Sequence, residues 1–312
     1  SCQQNLVPLG TDIGLSAPLY ERISQVDLEA LDALDRRFVE DMLLGFQRSG
    51  VNQPEATQQR IRELNRKLNQ LGQRFNANIR EDVRTLKVAS AERLRGLPDD
   101  YIEARLQDDG TLVITTDYPD YFPVMQYAHD DELRFELYKL FRQRGYPENE
   151  QVLLDLLRAR HELATLLGYR HYAEYVTEDK MIKTAENAQE FIDRITDIAD
   201  SRAQYDYEIL LARQQELDPS AQVVGDWQKT YLEELIKQEL FEIDSRELRS
   251  YFQYDRVRQG IFDLTEALFD VRIIPWDTET WHESVHAYEM LDGDEVIGRF
   301  YLDMHPREGK YN

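Results

Sequence analysis

Apolar residues recur at steps of three and four along most of this chain, a spacing that predicts long amphipathic helices. The clearest run is residues 54–79, where Ile61 and Leu64 open one apolar stripe and Arg, Lys, Gln and Asn fill most of the positions between. Residues 28–46 repeat the pattern, and a break that contains Gly50 separates the two runs. Because glycine commonly ends helices, we predict two helices that form an antiparallel hairpin.

Six further stretches have helical periodicity, and two short ones are rich in β-branched residues instead. The latter, residues 85–88 and 111–115, predict a small β excursion between helices. No internal repeat of fixed period occurs, which disfavours a solenoid. The six stretches predicted as helices are residues 130–144, 149–167, 185–216, 226–241, 245–252 and 254–269.

The last part of the chain has a different pattern. Asp292-Gly293 is a tight-turn dipeptide, and the runs on either side, residues 285–291 and 296–302, predict a β-hairpin. The fold class that we predict is therefore mainly α, a long-helix bundle with a small antiparallel β-sheet at the C-terminal end. Its predicted regions are an N-terminal helical hairpin region at 1–84, a helical domain with a short β excursion at 85–270 and a β-hairpin region at 271–312.

Residues 282–286 spell His-Glu-Ser-Val-His, which matches the zinc-protease motif His-Glu-x-x-His. On a helix, His282 and His286 would lie about 5–6 Å apart and could share a zinc while Glu283 polarises its water. On a strand, a rise of about 3.3 Å per residue places them about 13 Å apart, too far for a common metal. A capping box at residues 280–283 favours the helix, whereas the predicted hairpin favours the strand. A third ligand would have to come from Glu289, Glu295, Glu308 or His305.

The amino-acid composition restricts the kinds of partner that this chain can bind. Sixty acidic against 37 basic residues give a formal charge of −23, which opposes binding to a nucleic-acid backbone or an anionic membrane. No stretch approaches the roughly 18–20 apolar residues of a membrane span. The single cysteine, Cys2, cannot form an internal disulfide, so the fold does not depend on an oxidising compartment. We expect no nucleic-acid or membrane partner and a cytoplasmic location, with the periplasm as the alternative.

Five segments carry a further signal. They read DMLLGFQRSGV at 41–51, DYPDYFPVM at 117–125, RHELATLLGY at 160–169, WHESVHAY at 281–288 and GRFYLDMHPREGKY at 298–311. In order and spacing, along essentially the whole chain, these segments resemble the thimet oligopeptidase and oligopeptidase A family of zinc metallopeptidases, which includes dipeptidyl carboxypeptidase.

The resemblance implies that segment 281–288 leads into a strand and does not form a zinc motif. The family's working His-Glu-Phe-Gly-His helix and its glutamate ligand would lie beyond Asn312, and the chain would begin inside the family's N-terminal region. We therefore expect a fragment whose region 271–312 leads into a missing catalytic domain. On this reading the chain itself carries no catalytic residue, no cofactor-binding residue and no metal ligand.

For the parent enzyme, the resemblance implies a helical, clam-like peptidase with a deep channel, in which zinc-activated water attacks short peptides. Zinc is expected in the parent only, and the expected partners are short peptides and the remainder of the catalytic domain. Two alternatives stay open. One is a truncated, catalytically dead homologue that acts as a peptide- or partner-binding helical scaffold, and the other is a self-contained zinc hydrolase that uses His282-Glu283-Ser284-Val285-His286.

Overall fold

Helices joined by short connections make up most of the chain in the computed structural model, which describes residues 2–241, 248, 251–307 and 310. Two 3-10 turns, Leu28–Ala30 and Ala91–Leu94, accompany them. The helices of the described part are α1 (Cys2–Gly14), α2 (Ala17–Ser24), α3 (Ala33–Ser49), α4 (Glu55–Glu81), α5 (Asp99–Glu103), α6 (Tyr118–Tyr127), α7 (Asp131–Arg142), α8 (Glu148–Leu166), α9 (Tyr172–Thr177), α10 (Ala185–Leu217), α11 (Asp226–Phe241) and α12 (Tyr254–Phe269).

Two small sheets complete the described fold. Strand β1 (Thr85–Val88) pairs with β2 (Leu112–Thr115), and β3 (Arg272–Pro275), β4 (His286–Asp292) and β5 (Glu295–Leu302) form an antiparallel sheet in that order. The mainly α fold with a small C-terminal sheet is confirmed, as is the hairpin of β4 and β5. In this hairpin the register shifts between Met290 and Leu291, so β5, at the edge of the described sheet, carries a bulge.

Sequence periodicity predicted the long helices well. The predicted helices that begin near residues 28, 54, 130, 149, 185, 226 and 254 correspond to α3, α4, α7, α8, α10, α11 and α12. The one predicted at 245–252 lies largely outside the described residues. The sequence did not predict α1, α2, α5, α6 or α9, which are short or contain an internal proline, as α1 does at Pro8 and α6 at Pro123. No helix of the described chain has the length and apolar character that a membrane span requires.

The chain divides into two compact units, of which the first comprises residues 1–85 and 139–208. The most extensive contacts of α4 are with α8 and α1 rather than with α3, its predicted hairpin partner. The connection from α3 to α4 turns at Gly50, whose φ of +93° ends α3 in the left-handed conformation. The buried core that results consists of Leu15, Ile61, Leu64, Ala159 and Leu163.

The second unit comprises residues 86–138 and 209–312. Strand β2 buries Leu112 and Ile114, and α6 packs against α11. Helix α12 covers one face of the C-terminal sheet, because the ring of Phe262 lies 4.9 Å from that of Tyr288 in β4. The predicted division at 1–84, 85–270 and 271–312 follows the sequence alone and stays a prediction.

Candidate functional site

The backbone at residues 282–286 decides between the two interpretations of the His-Glu-x-x-His motif. Residues 282–284 form a turn, and His286 is the first residue of β4, where it pairs with Leu302 of β5. The Nδ1 atom of His282 accepts a hydrogen bond from the Ser284 amide at 3.1 Å. The helical conformation that would place both imidazoles on one face is absent, and the predicted hairpin strand begins at His286, so residues 282–286 do not form the helical zinc pair of the motif.

Two of the other residues considered as ligands, Glu289 and His305, contact side chains elsewhere. Glu289 accepts a hydrogen bond from Arg299 at 2.9 Å, and the ring of His305 lies 4.9 Å from that of Tyr254. Glu295 pairs with Asp292 at the start of β5, and Glu308 lies outside the described residues. Within the described ranges, no three His, Cys, Asp or Glu side chains are grouped so that they could hold a metal ion.

The C-terminal sheet and the connection between β3 and β4 form an aromatic surface instead. The ring of Tyr301 lies 5.6 Å from that of Trp276 and 5.1 Å from that of Trp281. The guanidinium of Arg299 sits 4.8 Å from the centre of the Trp276 ring, a cation–π contact. We call Trp276, Trp281, Arg299 and Tyr301 the aromatic platform. Sequence reasoning did not identify it, because its members come from the loop between β3 and β4 and from strand β5, which only the sheet brings together.

Asp303, directly after β5, connects this platform to the segment that follows. Its carboxylate accepts hydrogen bonds from Arg307 Nη1 and Nη2 at 2.5 and 2.9 Å and from Trp281 Nε1 at 3.1 Å. Lys310 Nζ lies 3.2 Å from the same carboxylate and also donates to the backbone oxygen of Asp303 at 2.6 Å. Chiefly because of the Arg307 hydrogen bonds, the pKa of Asp303 lies well below its usual range. We call Asp303, Arg307 and Lys310 the Asp303 clamp.

We expect Asp303→Asn to loosen the segment after β5, seen as faster amide hydrogen exchange at residues 303–307. Because the folded state lowers the pKa of Asp303, the stabilisation should be fully present above the ordinary value of 3.8 and lost as the pH falls below it. The difference in melting temperature between wild type and variant should therefore be constant above about pH 5 and shrink in more acid solution. Asp294→Asn, at a fully exposed turn position, is the matched control and should change neither quantity.

Two of the segments that resemble the oligopeptidase family, 41–51 and 160–169, lie in the first unit and both contact Glu178. Arg48, from segment 41–51, donates to Glu178 Oε2 at 2.6 Å, and the Tyr169 hydroxyl, from segment 160–169, donates to the same oxygen at 2.5 Å. Burial, together with this hydrogen bond, raises the pKa of Tyr169 to about 12. These segments therefore anchor the fold of the first unit.

Segment 117–125 has a similar anchoring role in the second unit. Asp120 is buried in α6 and accepts hydrogen bonds from the Thr115 amide at 2.7 Å, the Tyr101 hydroxyl at 3.1 Å and Arg105 Nε at 2.5 Å. An aromatic, proline-rich segment of this kind can either line a peptide cleft or pack inside the fold. The burial of Asp120 and Tyr121 favours packing for that face of α6, while Phe122 remains exposed.

Comparison with known proteins identifies the family to which this chain belongs. Oligopeptidase A of Salmonella typhimurium is 30% identical over 90% of this chain and 44% of its own length. Saccharolysin of Saccharomyces cerevisiae is 27% identical over 97% of this chain and 46% of its own length, and a probable cytosolic oligopeptidase A of Arabidopsis thaliana is 27% identical over 95% and 46%. The chain thus spans less than half the length of the curated relatives it matches. The model of peptidase family M3 matches residues 124–312, which include segment 117–125 in part and the whole aromatic platform, and the chain belongs to peptidase family M3.

Proposed function

We propose that this chain is the noncatalytic N-terminal and central part of a zinc-dependent oligopeptidase that hydrolyses short peptides. One combined observation carries the proposal: the chain aligns with oligopeptidase A over 90% of its residues but covers 44% of that relative. M3 is a family of metallopeptidases, and the names of the Salmonella typhimurium and Arabidopsis thaliana relatives specify oligopeptidases. In the parent enzyme, zinc would activate a water for attack on the peptide carbonyl. The side chains that bind this zinc would belong to the part of the enzyme that this chain does not contain.

The role left for this chain is structural support of the catalytic part. The first unit would supply a helical wall, held by the α1, α4 and α8 core. The second unit would present the C-terminal sheet, with the Asp303 clamp fixing the direction in which the chain leaves β5. The remainder of the catalytic domain is the partner we propose. The cytoplasm is the proposed compartment, supported by the name of the Arabidopsis thaliana relative.

Zinc stoichiometry and peptide hydrolysis test this proposal directly. The purified chain should bind far less than one zinc and should not cleave an internally quenched peptide with or without added zinc. The His286→Ala variant should be indistinguishable, because His286 begins a strand and does not share a helical face with His282. Near-unit zinc that the variant loses, or hydrolysis that a chelator abolishes and zinc restores, would instead establish the self-contained hydrolase.

A further inference from the structure

We propose that the aromatic platform is the surface on which the part of the M3 polypeptide that this chain does not contain docks; this inference rests on the proposed function. The observation behind it is a small sheet with one covered face and one open face. The open face carries aromatic and guanidinium groups that are already ordered.

The two faces follow from the register of β4 and β5. Tyr288 pairs with Phe300, and both rings contact Phe262 of α12, at 4.9 and 6.3 Å, so this face is covered. The neighbouring pair, Glu289 with Arg299, must point to the opposite face because side chains alternate along a strand. Tyr301 lies two residues beyond Arg299 and shares its face.

That opposite face is open to solvent despite its apolar content. Trp281 is 61% exposed, Tyr301 37% and Ile274 of β3 39%. Exposed aromatic surface of this kind on an ordered sheet is typical of an interaction site rather than of a solvated exterior. Trp, Tyr and Arg are also the residues that contribute most to binding free energy at protein interfaces.

The platform is held in place before any partner arrives. Trp281 donates its indole N–H to Asp303, and Arg299 is fixed between the Trp276 ring and Glu289, to which it donates at 2.9 Å. Side chains that are already ordered lose little conformational entropy when they are covered. Trp281 and Arg299 have internal hydrogen-bond partners, so a partner needs to offer these two side chains mainly apolar surface.

Three properties identify the occupant as the remaining M3 polypeptide. More than half the length of the relatives has no counterpart in this chain, so a large body must pack against it in the parent. The family match at residues 124–312 spans every platform residue, so the surface lies in the part of the chain that aligns with the family. A second copy of this chain is a poor candidate, because two chains that each carry a charge of −23 repel.

Co-expression gives the test. The tagged chain is produced together with the portion of Salmonella typhimurium oligopeptidase A that it does not match, and the amount of partner retained on the affinity resin is measured. Wild type should retain the partner, and Trp281→Ser combined with Tyr301→Ser should retain at least about tenfold less, as expected when two interface anchors are truncated. Leu106→Ser, at a 54% exposed position outside the platform, is the matched control and should stay within about twofold of wild type.

A second variant separates docking from folding. Trp281→Phe keeps the aromatic surface but removes the hydrogen bond to Asp303, so it should retain the partner nearly as well as wild type. Equal retention by wild type and the double variant would overturn the platform while leaving the proposed function intact. Absence of retention by wild type would overturn the platform too, and the zinc and hydrolysis measurements would then decide the proposed function separately. A dimer of the chain that the double variant abolishes in sedimentation would assign the platform to self-association instead.

Discussion

Replacing Asp120 by alanine should lower the free energy of unfolding of the second unit by about 3–5 kcal/mol. The change leaves Arg105, four-fifths buried, without its carboxylate partner at 2.5 Å, and it leaves the Thr115 amide without its acceptor. Uncompensated buried charge is costly because the protein interior cannot replace the lost hydration. Urea denaturation followed by circular dichroism provides the measurement.

Asp117→Ala is the control for this experiment. Asp117 precedes α6, is exposed and makes no side-chain cap, so its loss should cost less than about 1 kcal/mol. Adding Arg105→Met to Asp120→Ala should recover part of the lost stability, because the unpaired charge is then gone. If Asp120→Ala were as mild as Asp117→Ala, segment 117–125 would not be the buried anchor described above.

The second large effect is expected in the first unit. Ile61→Ala should destabilise that unit by about 3–4 kcal/mol, since Ile61 is 1% exposed and its loss leaves a cavity among Leu64, Ala159 and Leu163. Thermal unfolding measures the change, and Leu34→Ala, at a 77% exposed position of α3, should shift the melting temperature little. Similar shifts for the two variants would mean that α4 does not pack on α8 as described.

These two sites show what the sequence could and could not reveal. Ile61 belongs to a stripe with helical spacing, and local periodicity identified both the helix and its buried face. Asp120 stands in a segment whose prolines obscure the helix, and its burial depends on Arg105 and Tyr101, which lie outside that segment. Periodicity reports which side of an element is apolar, but it does not report which other element covers that side.

The dependence on contacts between distant elements also explains how far the candidate site could be predicted. Residues 282–286 match a helical motif locally, but 282–284 form a turn and a strand begins at His286, which pairs with Leu302 across the Asp292-Gly293 turn. The hairpin signal in the sequence was sufficient to favour this outcome. The platform was not predictable, since Trp276, Trp281 and Tyr301 are brought together by strand pairing and by the contact of Trp281 with Asp303.

The bulge in the β4–β5 hairpin matters for how the chain behaves at high concentration. An edge strand offers free backbone groups to which another chain can add, and this is a common first step in aggregation. The register shift between Met290 and Leu291 interrupts the straight ladder that such addition needs. The irregular edge therefore disfavours the addition of a strand from another chain and the aggregation that would follow.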